Sequence, residues 1–273
     1  MKVFYNKTSI GYSHLKSNIV VQDYSDTYFD KKRIIVTACD GHGGKIYFRS
    51  DKGSKFASIA IINTFKKVSL KKLKNLEKIK LDILCEWNKL VEEDLMLNPL
   101  NLDDLKGFNE KEIFKITSNP EVVYGTTLNG VLYYNNHYLC VQLGDGGVIS
   151  LKDNKFNFVF EEDEDNVANL TYSLCSEDAF NYLKIKLIDE KLIDGIIVCT
   201  DGLLSPYQSI KNLNDYFIKP TLKLIKQKGI KSGKKLDSFI NKLALKTGVG
   251  DDVSLGLIID HKEFIKLWIL SIA

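Results

Sequence analysis

Arginine is nearly absent. Of the 38 basic residues, only Arg33 and Arg49 are arginines. Lysine is a hydrated point charge without the fork that clamps phosphates and reads bases. A phosphate site in this chain must therefore draw on metal ions, lysine or backbone N–H. An excess of one charge is missing too. Lys+Arg 38 against Asp+Glu 35 leaves a formal net charge of +3, too weak a field to argue for nucleic acid. The 5 cysteines (Cys39, Cys85, Cys140, Cys175 and Cys199) form no Cys-x-x-Cys pair. That excludes a zinc knuckle, and an odd, scattered set argues against a disulfide framework. Cys39, Cys140 and Cys199 stand in apolar runs and read as small core residues. No run approaches the roughly 20 apolar residues of a membrane helix, and the first residues carry no apolar stretch suited to secretion. A cytoplasmic protein with no membrane partner is the expectation.

Proline is scarce, at 4, and neither a Gly/Ser linker nor a fixed-period repeat divides the chain. We expect one domain over 1–260, with a tail, 261–273, packed on it or flexible. Hydrophobic residues make up 44% and charged ones 27%, which excludes disorder as the main state. At 273 residues a domain buries roughly 70–75% of its chain surface.

Residues 3–40 read as strands, with short β-branched runs at 19–21 and 33–39, and further β-branched or alternating runs predict strands at 122–124, 127–134, 137–143, 148–151, 156–160, 195–200 and 253–259. Asn135-Asn136 reads as a hairpin turn. Apolar steps of three and four predict helices over 49–68, 72–94, 208–228 and 234–247. Lysines between 66 and 80 lie mainly off the stripe and read as a solvated helix face. Residues 98–120 are polar and aperiodic, and read as a loop facing the substrate. Strands in runs with paired helices between and after give an α+β class rather than an alternating parallel sheet.

Asp40, Asp145 and Asp201 each follow a predicted strand and precede glycine, and Asp251 precedes a strand. Strand ends are rigid and can aim several carboxylates at one point. Converging carboxylates raise one another's pKa unless a cation intervenes. An all-oxygen donor set without Cys or His suits Mg²⁺ or Mn²⁺. Any single Asp-Gly is equally a turn; only the set points to chemistry.

The order of motifs resembles the protein phosphatase type 2C family, the metal-dependent Ser/Thr phosphatases. The matching pieces are Gly11-Tyr12-Ser13-His14 with Gln22-Asp23, Asp40-Gly41-His42-Gly43-Gly44, Tyr124-Gly125-Thr126-Thr127-Leu128, Leu143-Gly144-Asp145-Gly146, Cys199-Thr200-Asp201-Gly202-Leu203 and Gly250-Asp251-Asp252-Val253-Ser254. Residues 169–182 are similar to the bacterial branch. The resemblance implies a four-layer α-β-β-α sandwich of two packed antiparallel sheets, each flanked by a helix pair. It implies two Mn²⁺ or Mg²⁺ ions, with a weaker third in some members. Asp40 would bridge the pair, the Gly41 carbonyl would bind one ion, Asp201 and Asp251 the other, and Asp145 would serve the third. Asp23 would orient water, and His42 would protonate the leaving oxygen, work suited to an imidazole. A metal-bridged hydroxide would attack phosphorus without a phospho-enzyme. The implied partner is a phosphorylated protein, opposite a Ser/Thr kinase, and we expect a monomer that binds no nucleic acid.

The chain departs from the family pattern in four places. Asn18 stands where an arginine usually holds the phosphate; His14, Lys16 and Arg49 are the candidate substitutes. Gln22 replaces a common acid, Thr200 a common serine, and Asp252 a common asparagine, which leaves Asp251 and Asp252 both open as the ligand. Two other readings therefore stand beside an active phosphatase: a pseudophosphatase kept as a binding module, and a metal-dependent hydrolase of small phosphate esters.

Overall fold

The computed structural model describes residues 2–153, 155–161, 171–207, 209–228, 232–246 and 250–260. The chain runs through β1 (Lys2–Ser9), α1 (Tyr12–Ser17), β2 (Tyr24–Phe29), β3 (Arg33–Cys39), α2 (Ser50–Lys66), α3 (Leu76–Leu97) and α4 (Glu110–Ser118). It continues through β4 (Leu128–Tyr134), β5 (His137–Leu143), β6 (Gly147–Lys152), β7 (Lys155–Phe158), α5 (Ala179–Tyr182), β8 (Lys184–Asp189) and β9 (Gly195–Cys199). Last come α6 (Asp201–Leu204), α7 (Ile210–Leu213), α8 (Lys219–Lys228), α9 (Gly233–Lys246) and β10 (Val253–Asp260). Two five-stranded sheets result, β1-β10-β9-β6-β7 and β2-β3-β4-β5-β8. Every strand pairing in them is antiparallel.

Period-two patterning sorts the core into three layers. In β3, Val36 and Ala38 face the other sheet, while Ile35 and Cys39 face helices. In β9, Ile196 and Val198 meet them across the sandwich, while Ile197 and Cys199 join the opposite helix layer. The outer layers are α2 with α3 on one sheet and α8 with α9 on the other. In α3, Ile79, Ile83, Trp87 and Val91 recur every four residues and are all buried, the spacing that keeps one helix face inward. The four-layer α+β sandwich expected from the motifs is thus the fold observed. Among the described residues, no helix is long and apolar enough to cross a membrane.

Several local expectations are corrected. Residues 19–21 are not a strand: the chain there is irregular and Val20 is 64% exposed. β-branched residues favour strands only where a pleated surface is covered, and Ile19 and Val20 are both exposed. Residues 12–17, read among strands, form α1. Residues 122–124 lie in a 3-10 turn, Pro120–Tyr124, entered through proline. The expected loop 98–120 contains α4, opened by a capping box in which Asn109 accepts from the Glu112 N–H and Glu112 accepts from the Asn109 N–H. The helix 208–228 is broken by a π turn at Asn214–Ile218, next to Pro220, which removes a backbone donor. β8 went unread. Lys80 departs from its solvated neighbours, being buried with its ammonium 4.5 Å from the Phe180 ring centroid. The tail 261–273, residue 247 and residues 169–170 lie outside the described residues.

A charged corner ties α2, α3 and the 3-10 turn together. Asp94 accepts from Lys52 at 2.9 Å, from the Tyr124 hydroxyl at 2.6 Å and from Asn98 at 2.9 Å. Burial pushes the Asp94 carboxyl up, but these hydrogen bonds together outweigh it and hold the pKa below the usual range. A depressed carboxyl contributes stability that is complete above its unfolded pKa, about 3.9, and is lost as pH falls through the folded value. Asp94→Asn is expected to lower the urea midpoint at pH 7, with the gap to the parent narrowing below about pH 4. An undiminished gap in acid would show that the charge contributes nothing.

Candidate active site

The strand ends that carry the aspartates meet at one end of the seam between the sheets. Asp40 leaves β3 in one sheet; Asp201 follows β9 and Asp251-Asp252 precede β10 in the other. Asp23 precedes β2. Asp40 is held by its backbone. Its N–H donates to Thr127 Oγ1 at 3.0 Å, and its carbonyl accepts from the Thr127 N–H at 2.8 Å and from Thr126 Oγ1 at 2.7 Å. Gly41 must be glycine on packing grounds, because a Cβ there would lie 2.5 Å from the Ser50 carbonyl oxygen. A Cβ on Gly202 would lie 1.9 Å from the Asp252 carbonyl oxygen, so β9 and β10 can close behind Asp201 only over glycine.

Asp252 is 1% exposed, and its carboxylate is a clasp. It accepts from the Gly11 and Gln22 N–H groups, each at 2.8 Å, and at 3.4 Å from that of Asp23. His14 Nδ1 lies 3.0 Å from it. Asp251 is left with more freedom: its Oδ1 accepts from the Asp252 N–H at 2.8 Å, and its side chain is 43% exposed. Of the two, Asp252 pins the loop, whereas Asp251 has the freer carboxylate. Gln22, in place of an acid, donates through Nε2 to Ser50 Oγ at 2.7 Å and to the His42 carbonyl at 3.2 Å. A carboxylate could not donate there.

The Asp40 carboxyl lies between those of Asp23 and Asp201 and interacts with each. Burial, then the Asp252 charge, pushes Asp23 far above the usual carboxylate range, although Thr200 Oγ1 donates to it at 2.8 Å. Burial, then Asp23 and Asp201, does the same to Asp40. Burial, then Asp145, raises Asp201 to about 6. Desolvation and like charge act together here. The group is a row of acids rather than an open cage: among the described residues, no three His, Cys, Asp or Glu side chains are set to hold a metal ion. Its chemistry nevertheless fits a hard divalent cation. The donors are all oxygen, and a divalent cation among them would relieve the repulsion that raises their pKa values.

The remaining candidates divide. Asp145, exposed in the turn after β5, accepts from Thr171 Oγ1 at 2.7 Å. Its charge reaches Asp201 and His42. The His42 N–H donates to the Gly125 carbonyl at 3.0 Å, and its ring sits 4.9 Å from that of Tyr47. Burial lowers its pKa, and Asp145 opposes that. His14 reaches the cluster, and Lys16 is exposed on α1. Arg49, expected among the phosphate ligands, is committed to the charged corner. It donates to the Asn98 carbonyl at 2.7 Å and the Tyr124 hydroxyl at 2.8 Å, and pairs with Asp94 and Asp104. Asn18 occupies the left-handed cap of α1, at φ 53°. Asparagine tolerates that conformation better than arginine, a backbone reason for the missing cation. The holding roles of Thr126, Thr127 and Thr200 were not anticipated. Their motifs were visible, but a hydroxyl's partner is a tertiary fact.

The sequence profile of the family described as Protein phosphatase 2C matches residues 10–241. No protein of curated function matches the sequence. Among solved structures, the chain is similar to the catalytic domain of the serine/threonine phosphatase PstP in complex with two manganese ions, at 17% identity and TM-score 0.58, covering 95% of this chain and 99% of that one. It is similar to the S. agalactiae serine/threonine phosphatase, at 14% identity and TM-score 0.59, covering 95% and 100%. It is also similar to PppA of Pseudomonas aeruginosa, a key regulatory component of T6SS, at 16% identity and TM-score 0.57, covering 95% and 99%. At these identities the structures speak to the fold.

The clasp yields a stability prediction. Asp252→Ala strands buried N–H groups, and is expected to cost about 2–4 kcal/mol in urea unfolding. Asp252→Asn, which keeps one acceptor oxygen, is expected to cost less. Equal costs would mean that the oxygen asparagine retains contributes nothing.

Proposed function

The chain belongs to the protein phosphatase 2C family and is a phosphoprotein phosphatase; from that premise we propose that it hydrolyses phosphoserine and phosphothreonine with two divalent cations, Mn²⁺ or Mg²⁺, at the buried carboxylate cluster. The observation that carries the reading is the convergence of Asp23, Asp40, Asp201 and Asp251, brought from separate strand ends of both sheets, with Asp40 set between Asp23 and Asp201. Asp40, the Gly41 carbonyl, Asp201 and Asp251 would hold the pair, and Asp145 a weaker third ion. Bound there, the cations would lower the pKa of a water and neutralise charge on the phosphoryl oxygens, so that water rather than a side chain is the nucleophile.

The chain's own groups supply the rest. Asp23, oriented by Thr200, orients the attacking water. His42 holds the proton delivered to the leaving serine or threonine oxygen. Its burial favours release of that proton, and the Asp145 carboxylate favours its retention. With Arg49 committed elsewhere, His14 and Lys16 are the side chains from which the phosphate draws positive charge. Cys39 and Cys199 are buried, with thiols pushed by burial up to about 12, unsuited to nucleophilic attack. We place the enzyme, a phosphatase unit over 1–260, in the cytoplasm as a monomer opposing a Ser/Thr kinase.

Phosphate release from phosphoserine and phosphothreonine peptides is expected with Mn²⁺ or Mg²⁺ and not with EDTA. Asp40→Asn and Asp201→Asn are expected to lower it about a hundredfold or more and to weaken Mn²⁺ binding in calorimetry. Metal binding without release from any peptide would replace the reading with a binding module. Release from small esters alone would replace it with a phosphate-ester hydrolase. No metal binding would reduce the aspartates to turn residues.

A further inference from the structure

Beside Asp145 opens a cavity of about 280 Å³, just below the roughly 300–1,000 Å³ of small-molecule pockets. It suits one or two amino-acid side chains. Its apolar wall comes from four segments: Phe158 of β7, Leu204 at the end of α6, Tyr207, and Ile210 with Leu213 of α7. Leu213 is buried, whereas Phe158 and Ile210 are 37% and 63% exposed. The floor is therefore closed and the walls stand open, with large apolar surface facing water.

Several polar groups around the opening already have partners. Lys184 donates to the Glu161 carbonyl at 2.8 Å. Gln142 donates to the Gly146 carbonyl at 2.9 Å and accepts from the Val148 N–H at 3.2 Å. Asp145 accepts from Thr171. What the cavity offers an incoming chain is mostly apolar contact.

Position ties it to the reaction centre. Asp145 lines the cavity and acts electrostatically on both Asp201 and His42. Leu204 closes the single turn of helix that Asp201 opens. An extended peptide advances about 3.3–3.6 Å per residue. A neighbour within a few residues of a phosphate held at the carboxylates is within reach of the cavity wall at Leu204, three residues from Asp201.

We infer that this cavity receives an apolar side chain of the phosphoprotein substrate, within three residues of the phosphorylated one, and so selects substrates. The inference rests on the phosphatase reading and specifies its substrate class: sites with a large aliphatic or aromatic neighbour.

The test is a series of phosphothreonine peptides in an alanine background, with one leucine walked through three positions on each side. kcat/KM is read with Mn²⁺. At one position leucine is expected to raise kcat/KM about tenfold or more over alanine, and aspartate there to lower it. Ile210→Asp and Phe158→Ser are each expected to bring the leucine-to-alanine ratio near one. Leu192→Asp, at an exposed site just after β8, is expected to keep it. The ratio is internal to each preparation, so an unfolded fraction cancels. A parent ratio near one at every position would overturn the inference and leave the phosphatase reading standing. So would a ratio that survives both cavity variants, which would assign the selection to another surface. No release from any peptide by the parent would overturn the phosphatase reading and the inference with it.

Discussion

A row of three carboxyls, with Asp40 between Asp23 and Asp201, is the constraint on which the rest of this molecule depends. Asp40 is set against both neighbours, and each of the three is raised in pKa by desolvation and by nearby carboxyls. Such an arrangement persists only where the surroundings over-determine it. Here they do. The Asp40 backbone is fixed at both its N–H and its carbonyl by Thr126 and Thr127. Thr200 joins Asp23 to the start of β10 through the Ser254 N–H. The polar groups around the acids are a frame that prevents the cluster from relaxing apart.

The sandwich makes the frame possible. Asp40 belongs to one sheet, and Asp201 and Asp251 to the other, so the cluster exists only because the sheets are packed face to face. Val36 and Ala38 against Val198 and Ile258 set that packing. The apolar layer between the sheets thus determines the spacing of the acids at its end. A cation among them would remove the repulsion, linking metal occupancy to the stability of the seam.

The outer features adapt this centre without forming it. Asp252, buried and accepting three backbone N–H groups, draws α1 and the loop before β2 onto β10, and brings His14 with them. The corner built on Asp94 fixes the turn that leads to Thr126, and engages Arg49 in doing so. The region where the family commonly offers arginine to phosphate is here a left-handed asparagine beside a histidine held in the acidic cluster. The apolar cavity past Asp145 extends the same surface away from the charge.

The sequence by itself determined the larger part of the architecture. Strands and helices that bury a regular face, such as β3, β9, β10 and α3, were legible because periodicity records burial directly. The aspartates were legible as a set because each sits at a strand end. Segments without a regular face were misread. Residues 19–21 have strand composition but leave Ile19 and Val20 exposed, Pro120–Tyr124 is buried in a turn, and β8 is a half-exposed edge strand. Only the tertiary structure decided which acids meet, that Asp252 clasps while Asp251 has the freer carboxylate, and that Arg49 belongs to a corner rather than to the phosphate. Those are relations between residues up to 241 positions apart, as for Gly11 and Asp252. A linear pattern states which groups are present; only packing states which of them meet, and which are left to bind something else.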